Sequence, residues 1–188
     1  MLFQTKISGM RSLAENLHIE WAEADGVGTK GACHSMQFWK MNGAGNDFII
    51  IDNIREQIPV ERFGDLARLL CERHLSIGAD GLMVVEPARG DADYRMLFYN
   101  SDGSLGEMCG NGARCICRYG YENRLAGEVQ RVETTAGLVT GRRIDRRRYQ
   151  IRLNDPTTVR LNAPIEVDGT VYDCAYVELG NPGLPHAA

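Results

Sequence analysis

Tyr99-Asn100-Ser101-Asp102-Gly103-Ser104-Leu105-Gly106-Glu107-Met108-Cys109-Gly110-Asn111-Gly112-Ala113-Arg114-Cys115 is the stretch on which the reading of this chain turns. Asn100 to Ser104 is turn chemistry, and a helix is expected to begin near Gly110. Cys109 then stands in a glycine-rich loop where a helix starts. The free amide N–H groups of a first helical turn and the positive end of the helix dipole both favour a thiolate at that point. An ordinary thiol is only a few per cent ionised at neutral pH, so lowering its pKa by about one to two units raises the reactive fraction more than tenfold. The competing role is a small buried hydrophobe, the common fate of a cytosolic cysteine. Gly110 and Gly112 are costly in a helix unless the backbone must approach something, and they favour the chemical role.

Downstream, Ala113, Ile116, Cys117 and Gly120 line one helix face with mostly small residues, while Arg118 and Glu122 form an i, i+4 pair opposite. Small side chains permit close approach, so this helix is expected inside a curved sheet. Strands are expected at Gln37 to Met41, Phe48 to Asp52, Leu82 to Glu86, Tyr94 to Tyr99, Val129 to Thr134, Leu138 to Ile144, Tyr149 to Leu153 and Val171 to Leu179. A second helix is opened by Pro59, carries Phe63, Leu66, Ala67 and Leu70 at helical spacing, and ends near His74. Residues 1–35, with a short helical pattern at Leu13, Leu17 and Trp21 and a glycine-rich tail, read as a poorly ordered extension. Residues 36–155 form a first domain, and Asp155-Pro156 marks the boundary to a segment over 156–188.

The chain has 188 residues, 44% hydrophobic and 24% charged, with a net charge of -4. That composition is globular and gives no pull toward nucleic acid or an anionic membrane. The basic cluster Arg142, Arg143, Arg146, Arg147 and Arg148 reads as a solvated hairpin tip. Cysteines at 33, 71, 109, 115, 117 and 174, without a Cys-x-x-Cys or an apolar leader, point to a reducing, cytoplasmic setting. No metal is expected: Cys109, Cys115 and Cys117 lack zinc spacing, and Cys71 with His74 is half a site at most. Gly43 and Gly45 lack the third glycine of a dinucleotide fingerprint.

Four blocks together carry a family resemblance. Lys40-Met41-Asn42-Gly43-Ala44-Gly45-Asn46-Asp47-Phe48, His74-Leu75-Ser76-Ile77-Gly78-Ala79-Asp80-Gly81, Tyr99 to Ser104, and Cys109 to Cys115 resemble diaminopimelate epimerase in order and spacing. The resemblance implies an α+β fold class of two pseudo-symmetric domains, each a curved, mostly antiparallel sheet wrapped around a central helix, with the site in the cleft between them. It implies an isomerase of lysine and cell-wall synthesis that interconverts LL- and meso-diaminopimelate without pyridoxal phosphate or metal. A cysteine from each domain faces the substrate α-carbon; one takes the proton and the other delivers one. Cys109 matches the first-domain cysteine. Gly110 and Asn111 match positions whose amides hold the α-carboxylate, and Asn46, Asn100 and Asn181 match polar residues lining the substrate. The partner is thus a small molecule, and a homodimer stays open.

The departures are as specific as the matches. The second-domain cysteine with its own glycine-rich helix start has no counterpart, nor does the Glu-Arg pair before it. Cys174 lacks glycine flanks. Gly180-Asn181-Pro182-Gly183-Leu184-Pro185-His186 resembles a Gly-Asn-Pro-His block carrying an insertion, with His186 a further site candidate. Gly81 stands where some members have glutamine. The expectation is a complete first domain plus the beginning of a second, with little or no epimerase activity alone. A related amino-acid racemase and a non-catalytic module that kept the fold are the alternatives.

Overall fold

The computed structural model describes residues 13–20, 33–152 and 155–178, with side chains from Met36 onward. Its main sheet has nine strands: β1 (Leu13–Glu20), β2 (Cys33–Gly43), β3 (Asn46–Asp52), β4 (Gly81–Glu86), β5 (Tyr94–Asn100), β6 (Leu105–Gly106), β7 (Val129–Thr134), β8 (Gly137–Arg143) and β9 (Tyr149–Arg152). The order is β1-β2-β3-β4-β5-β7-β8-β9, and β6 also pairs with β5. Only β3 with β4 and β5 with β7 are parallel. The far edge of β5 is shared: Phe98 and Tyr99 pair with β6, whereas Tyr94 and Arg95 pair with β7.

Each parallel pair needs a crossover, and the two crossovers cover opposite faces of the sheet. The first carries α1 (Asn53–Glu56), a 3-10 turn at Val60–Arg62 and α2 (Phe63–Cys71). The second carries α3 (Gly110–Glu122). Phe48, Ile50, Met83 and Val85 share one apolar cluster with Ala113, Ile116 and Tyr119 of α3. Ile49, Ile51, Leu82 and Val84 share the other with Phe63, Leu66 and Leu70 of α2. The period of two explains why Phe48 to Ile51 and Leu82 to Val85 are unbroken apolar runs: both sides of these strands are covered.

The helix α3 packs closely on its sheet, and glycine makes this possible on both sides. A Cβ at Gly43 on β2 would stand 2.6 Å from Cys115 Sγ, and one at Gly141 on β8 would collide with Cys117 Sγ. A Cβ at Gly120 of α3 would stand 2.5 Å from the Tyr94 hydroxyl. That hydroxyl donates to Gln130 Oε1 at 2.7 Å, and Gln130 Nε2 donates to the Cys117 carbonyl at 2.7 Å. The buried Tyr119 hydroxyl donates to Asp52 Oδ2 at 2.9 Å. Burial and the neighbouring carboxylate push the Tyr119 hydroxyl well up, so it stays a donor. Arg118 pairs with Glu122 at 2.7 Å, yet it is itself buried, so this face of α3 is covered as well.

Several local expectations are corrected. Leu13–Glu20 is a strand in register with β2, from Leu13 opposite Lys40 to Glu20 opposite Cys33, rather than a helix. The four-residue spacing of Leu13 and Leu17 fits a period of two as well as a helical turn. Trp21 lies outside the described residues. The expected single strand over Val171 to Leu179 is two, β12 (Thr170–Tyr172) and β13 (Tyr176–Glu178), paired with β11 (Ile165–Val167) and β10 (Thr158–Arg160) respectively. Asp168 and Gly169, with φ of 49° and 75°, make the tight two-residue turn between β11 and β12. The helix α2 stops at Cys71 rather than near His74, because Glu72 is already extended. At the basic hairpin tip, Asp145 accepts from the backbone of Arg147 and Arg148 and pairs with the Arg148 side chain at 2.6 Å.

Gly141→Ala is expected to cost about 1–3 kcal/mol of stability through overpacking against Cys117. Gly127→Ala, where an added Cβ meets nothing within 4 Å, stays within about 0.5 kcal/mol of the parent. Denaturant unfolding of the pair measures both. Tyr94→Phe leaves the buried Gln130 oxygen without its donor and costs about 1–3 kcal/mol in the same assay.

Candidate functional site

Residues from four strands and one helix meet at one end of the sheet. Phe48, Gly81 and Asn100 stand side by side in register, so the start of β3, the start of β4 and the end of β5 coincide there. Gly43 at the end of β2 pairs with Asn46. The N-terminus of α3 sits against the same end, since a Cβ on Gly43 would lie 3.0 Å from the Asn111 carbonyl oxygen.

Cys109 is the residue that caps α3. Its backbone is extended, with φ -126° and ψ 110°, and its sulfur accepts from the Gly112 N–H at 3.4 Å. Its carbonyl accepts the first helical bond, from Ala113, at 2.7 Å. The thiol is half-buried. Gly112 is closely packed: a Cβ there would stand 2.5 Å from Met83 Cε and 3.3 Å from Cys109 Cβ, so the methionine end would have to shift. Gly110 and Asn111 occupy the first turn, where backbone N–H groups have no acceptor within the helix and face outward from its positive end. The approach to Cys109 is pinned from β7–β8: the Thr135 hydroxyl lies 2.9 Å from the Gly106 carbonyl and 2.5 Å from that of Glu107.

Asn46 and Asn111, 65 residues apart, are in direct contact: Asn111 Nδ2 donates to Asn46 Oδ1 at 2.9 Å. Asn46 Nδ2 donates in turn to Asp80 Oδ2 at 3.0 Å, which also accepts from the Asp47 N–H at 3.0 Å. Arg73 bridges Asp80 at 2.8 Å and Asp47 at 2.7 Å, and Lys40 approaches Asp47 at 2.9 Å. Burial raises the Asp80 pKa, but the bonds from Asn46, the Asp47 amide and Arg73 outweigh it and hold the carboxyl below its usual range. On the other side, Arg114 donates through one terminal nitrogen to Asn111 Oδ1 at 3.1 Å and to the Gly110 carbonyl at 2.9 Å.

Cys109, Gly110, Asn111 and Asn46 are therefore brought together. Asn100 reaches the same sheet end, but its side chain donates to Ser104 within its own turn at 2.9 Å and is exposed. Asn181 and His186 lie outside the described residues. Gly81 has its own constraint: a Cβ there would clash with the Phe98 ring and lie 2.8 Å from the Tyr99 carbonyl oxygen, which leaves no room for glutamine. Asp80, Arg114 and Thr135 were not singled out from sequence. Asp80 and Arg114 stand inside the quoted blocks, but nothing in one-dimensional spacing says that they flank two asparagines.

The other thiols have a different environment. Burial pushes Cys71 up to about 11, and Cys115 and Cys117 up to about 12. Cys174 is half-buried between β12 and β13. Among the described residues no three His, Cys, Asp or Glu side chains gather as a metal site, and no helix is long and apolar enough to cross a membrane.

Comparison with known proteins places this geometry in a family. The family model for diaminopimelate epimerase matches residues 38–153. Diaminopimelate epimerase of Moorella thermoacetica is 43% identical over 164 residues, covering 78% of this chain and 58% of that protein. The Aquifex aeolicus enzyme of the same name is 36% identical over 159 residues, covering 80% of this chain and 56% of its own length. The chain thus spans little more than half of these relatives. Among solved structures, a probable proline racemase from Agrobacterium radiobacter K84 superposes with a TM-score of 0.55 at 20% identity, over 80% of this chain and 54% of that one, and so shares the fold. The curved mixed sheet around α3, the four sequence blocks and the extent of the match agree: the chain belongs to the diaminopimelate epimerase family.

Proposed function

We propose that this chain supplies one face of a cofactor-independent epimerase site for diaminopimelate, with Cys109 as the group that exchanges the α-proton. The observation that carries the reading is the half-buried Cys109 sulfur at the N-terminus of α3, beside the Asn46–Asn111 pair. An amino-acid α-proton is far less acidic than a thiol, so the carbanion needs outside stabilisation. The first-turn amides of Gly110 and Asn111 supply it by binding the α-carboxylate, with fixed dipoles that need no reorganisation. In the step, the Cys109 thiolate takes the α-hydrogen as a proton, and the C–H electron pair stays on carbon, delocalised into the carboxylate. A thiol on the opposite face then delivers its own proton to that carbon and becomes the thiolate. Among the described residues no second cysteine stands at a helix start. Asn100, with Asn181 and His186, belongs to the same reading as a substrate contact, and lysine synthesis is the setting its product suits.

The reading separates two activities. Incubated with LL-diaminopimelate in heavy water, the 188-residue chain is expected to exchange the α-hydrogen with retention and to form little or no meso product. Cys109→Ala lowers that exchange at least about 100-fold, the usual scale for losing a positioned acid–base group. Mass spectrometry and chiral chromatography measure the two outcomes. Absence of exchange above background defeats the catalytic role, and efficient meso formation defeats the one-face assignment.

Iodoacetamide mapping of the native chain at pH 8 provides an independent check. Cys109 is expected to be alkylated and to be slowed by added diaminopimelate. Cys71, Cys115 and Cys117, buried and shifted upward, react only after unfolding.

A further inference from the structure

A side-chain amide can turn over and exchange its oxygen for its nitrogen, which would present a ligand with the opposite hydrogen-bonding character. At this site the two ends of a relay forbid that. The sequence of bonds is Arg114 to Asn111 Oδ1 at 3.1 Å, Asn111 Nδ2 to Asn46 Oδ1 at 2.9 Å, and Asn46 Nδ2 to Asp80 Oδ2 at 3.0 Å. A guanidinium can only donate and an ionised carboxylate can only accept. Turning either amide over opposes two donors or two acceptors at both of its contacts.

We propose that Asp80 and Arg114 are positioning residues that lock the amides of Asn46 and Asn111 in one direction beside Cys109. The inference rests on the substrate-binding role proposed for those two asparagines. With both carbonyls turned into the relay, each Nδ2 keeps one further N–H that can donate to a carboxylate of the ligand. Both ends are anchored. Asp80 is fixed by the Asp47 amide. Arg114 is 6% exposed, and the same nitrogen that meets Asn111 also binds the Gly110 carbonyl, tying the relay to the first residue of α3. Its Nε is buried without a partner among the described residues, so the guanidinium is held by its contacts at the relay end.

The test uses the full chain, side-chain amide NMR of Asn46 and Asn111, and titration with meso-diaminopimelate. Asp80→Asn and Arg114→Gln replace an end of fixed polarity by one that can both donate and accept. Arg114→Lys keeps a donor-only end, and Arg73→Gln removes the exposed ion pair while leaving the acceptor for Asn46 in place. Asp80→Asn is expected to move the Asn111 amide signals, although Asp80 does not touch Asn111. Arg114→Gln moves those of Asn46. Each weakens diaminopimelate binding about tenfold, the scale of one hydrogen bond to a charged group. Arg114→Lys and Arg73→Gln leave both the distant amide and the affinity within about twofold. Distant signals that stay put in both end variants overturn the relay, and so does a lysine variant that behaves like the glutamine one. Asp80 is half-exposed, so that arm stands even where Arg114→Gln unfolds the chain. If the parent binds no diaminopimelate, the functional reading falls, and the amide signals still decide the relay.

Discussion

The close contact between α3 and the concave face of the sheet is the constraint on which everything else depends. It is made by glycine on the sheet facing sulfur on the helix, at Gly43 with Cys115 and at Gly141 with Cys117, and by the reverse arrangement at Gly120 under Tyr94. Close packing of this kind excludes water and gains dispersion contacts along the whole helix. It also strands polar groups, and the molecule answers with bonds that cross from helix to sheet. Tyr94 and Gln130 serve the middle of the helix, and Tyr119 with Asp52 ties it to the end of β3.

That packing determines where chemistry can occur. A helix held along its length presents its first turn at a fixed place, and here the place is the end of the sheet where β2, β3, β4 and β5 coincide. The edge of β5 divides between β6 and β7, so the chain leaves β6 beside the strand ends and enters α3 after only three residues, Glu107, Met108 and Cys109. Cys109 is thus positioned by a short connection pinned at Thr135 and by a helix that cannot drift. Preorganisation of this sort is what a site needs when it must stabilise charge without moving.

The sequence made the centre of this arrangement readable and left its margins obscure. Cys109 between glycines at a helix start is a local pattern, and local patterns survive in one dimension. The apolar runs of β3 and β4 and the spacing of Phe63, Leu66 and Leu70 were readable for the same reason. Leu13–Glu20 was misread because a spacing of four satisfies both periods, and only pairing with β2 decides between them. The break within 170–178 follows from pairing to two different strands, together with the turn signal of Asp168-Gly169. Asp80 and Arg114 were invisible in their roles, since a contact spanning 34 residues, such as that of Asp80 with Asn46, leaves no trace in periodicity.

The glycine–sulfur pairing along α3 restricts how such a chain can change over generations. Inserting or deleting one residue inside the helix rotates everything beyond it by about 100°. The thiols of Cys115 and Cys117 would then leave their hollows, and larger neighbours would be driven against β2 and β8. Length in this segment is therefore frozen, and drift is confined to swaps of matched volume across each contact. A lineage that fills 43 must shrink 115, and one that fills 141 must shrink 117.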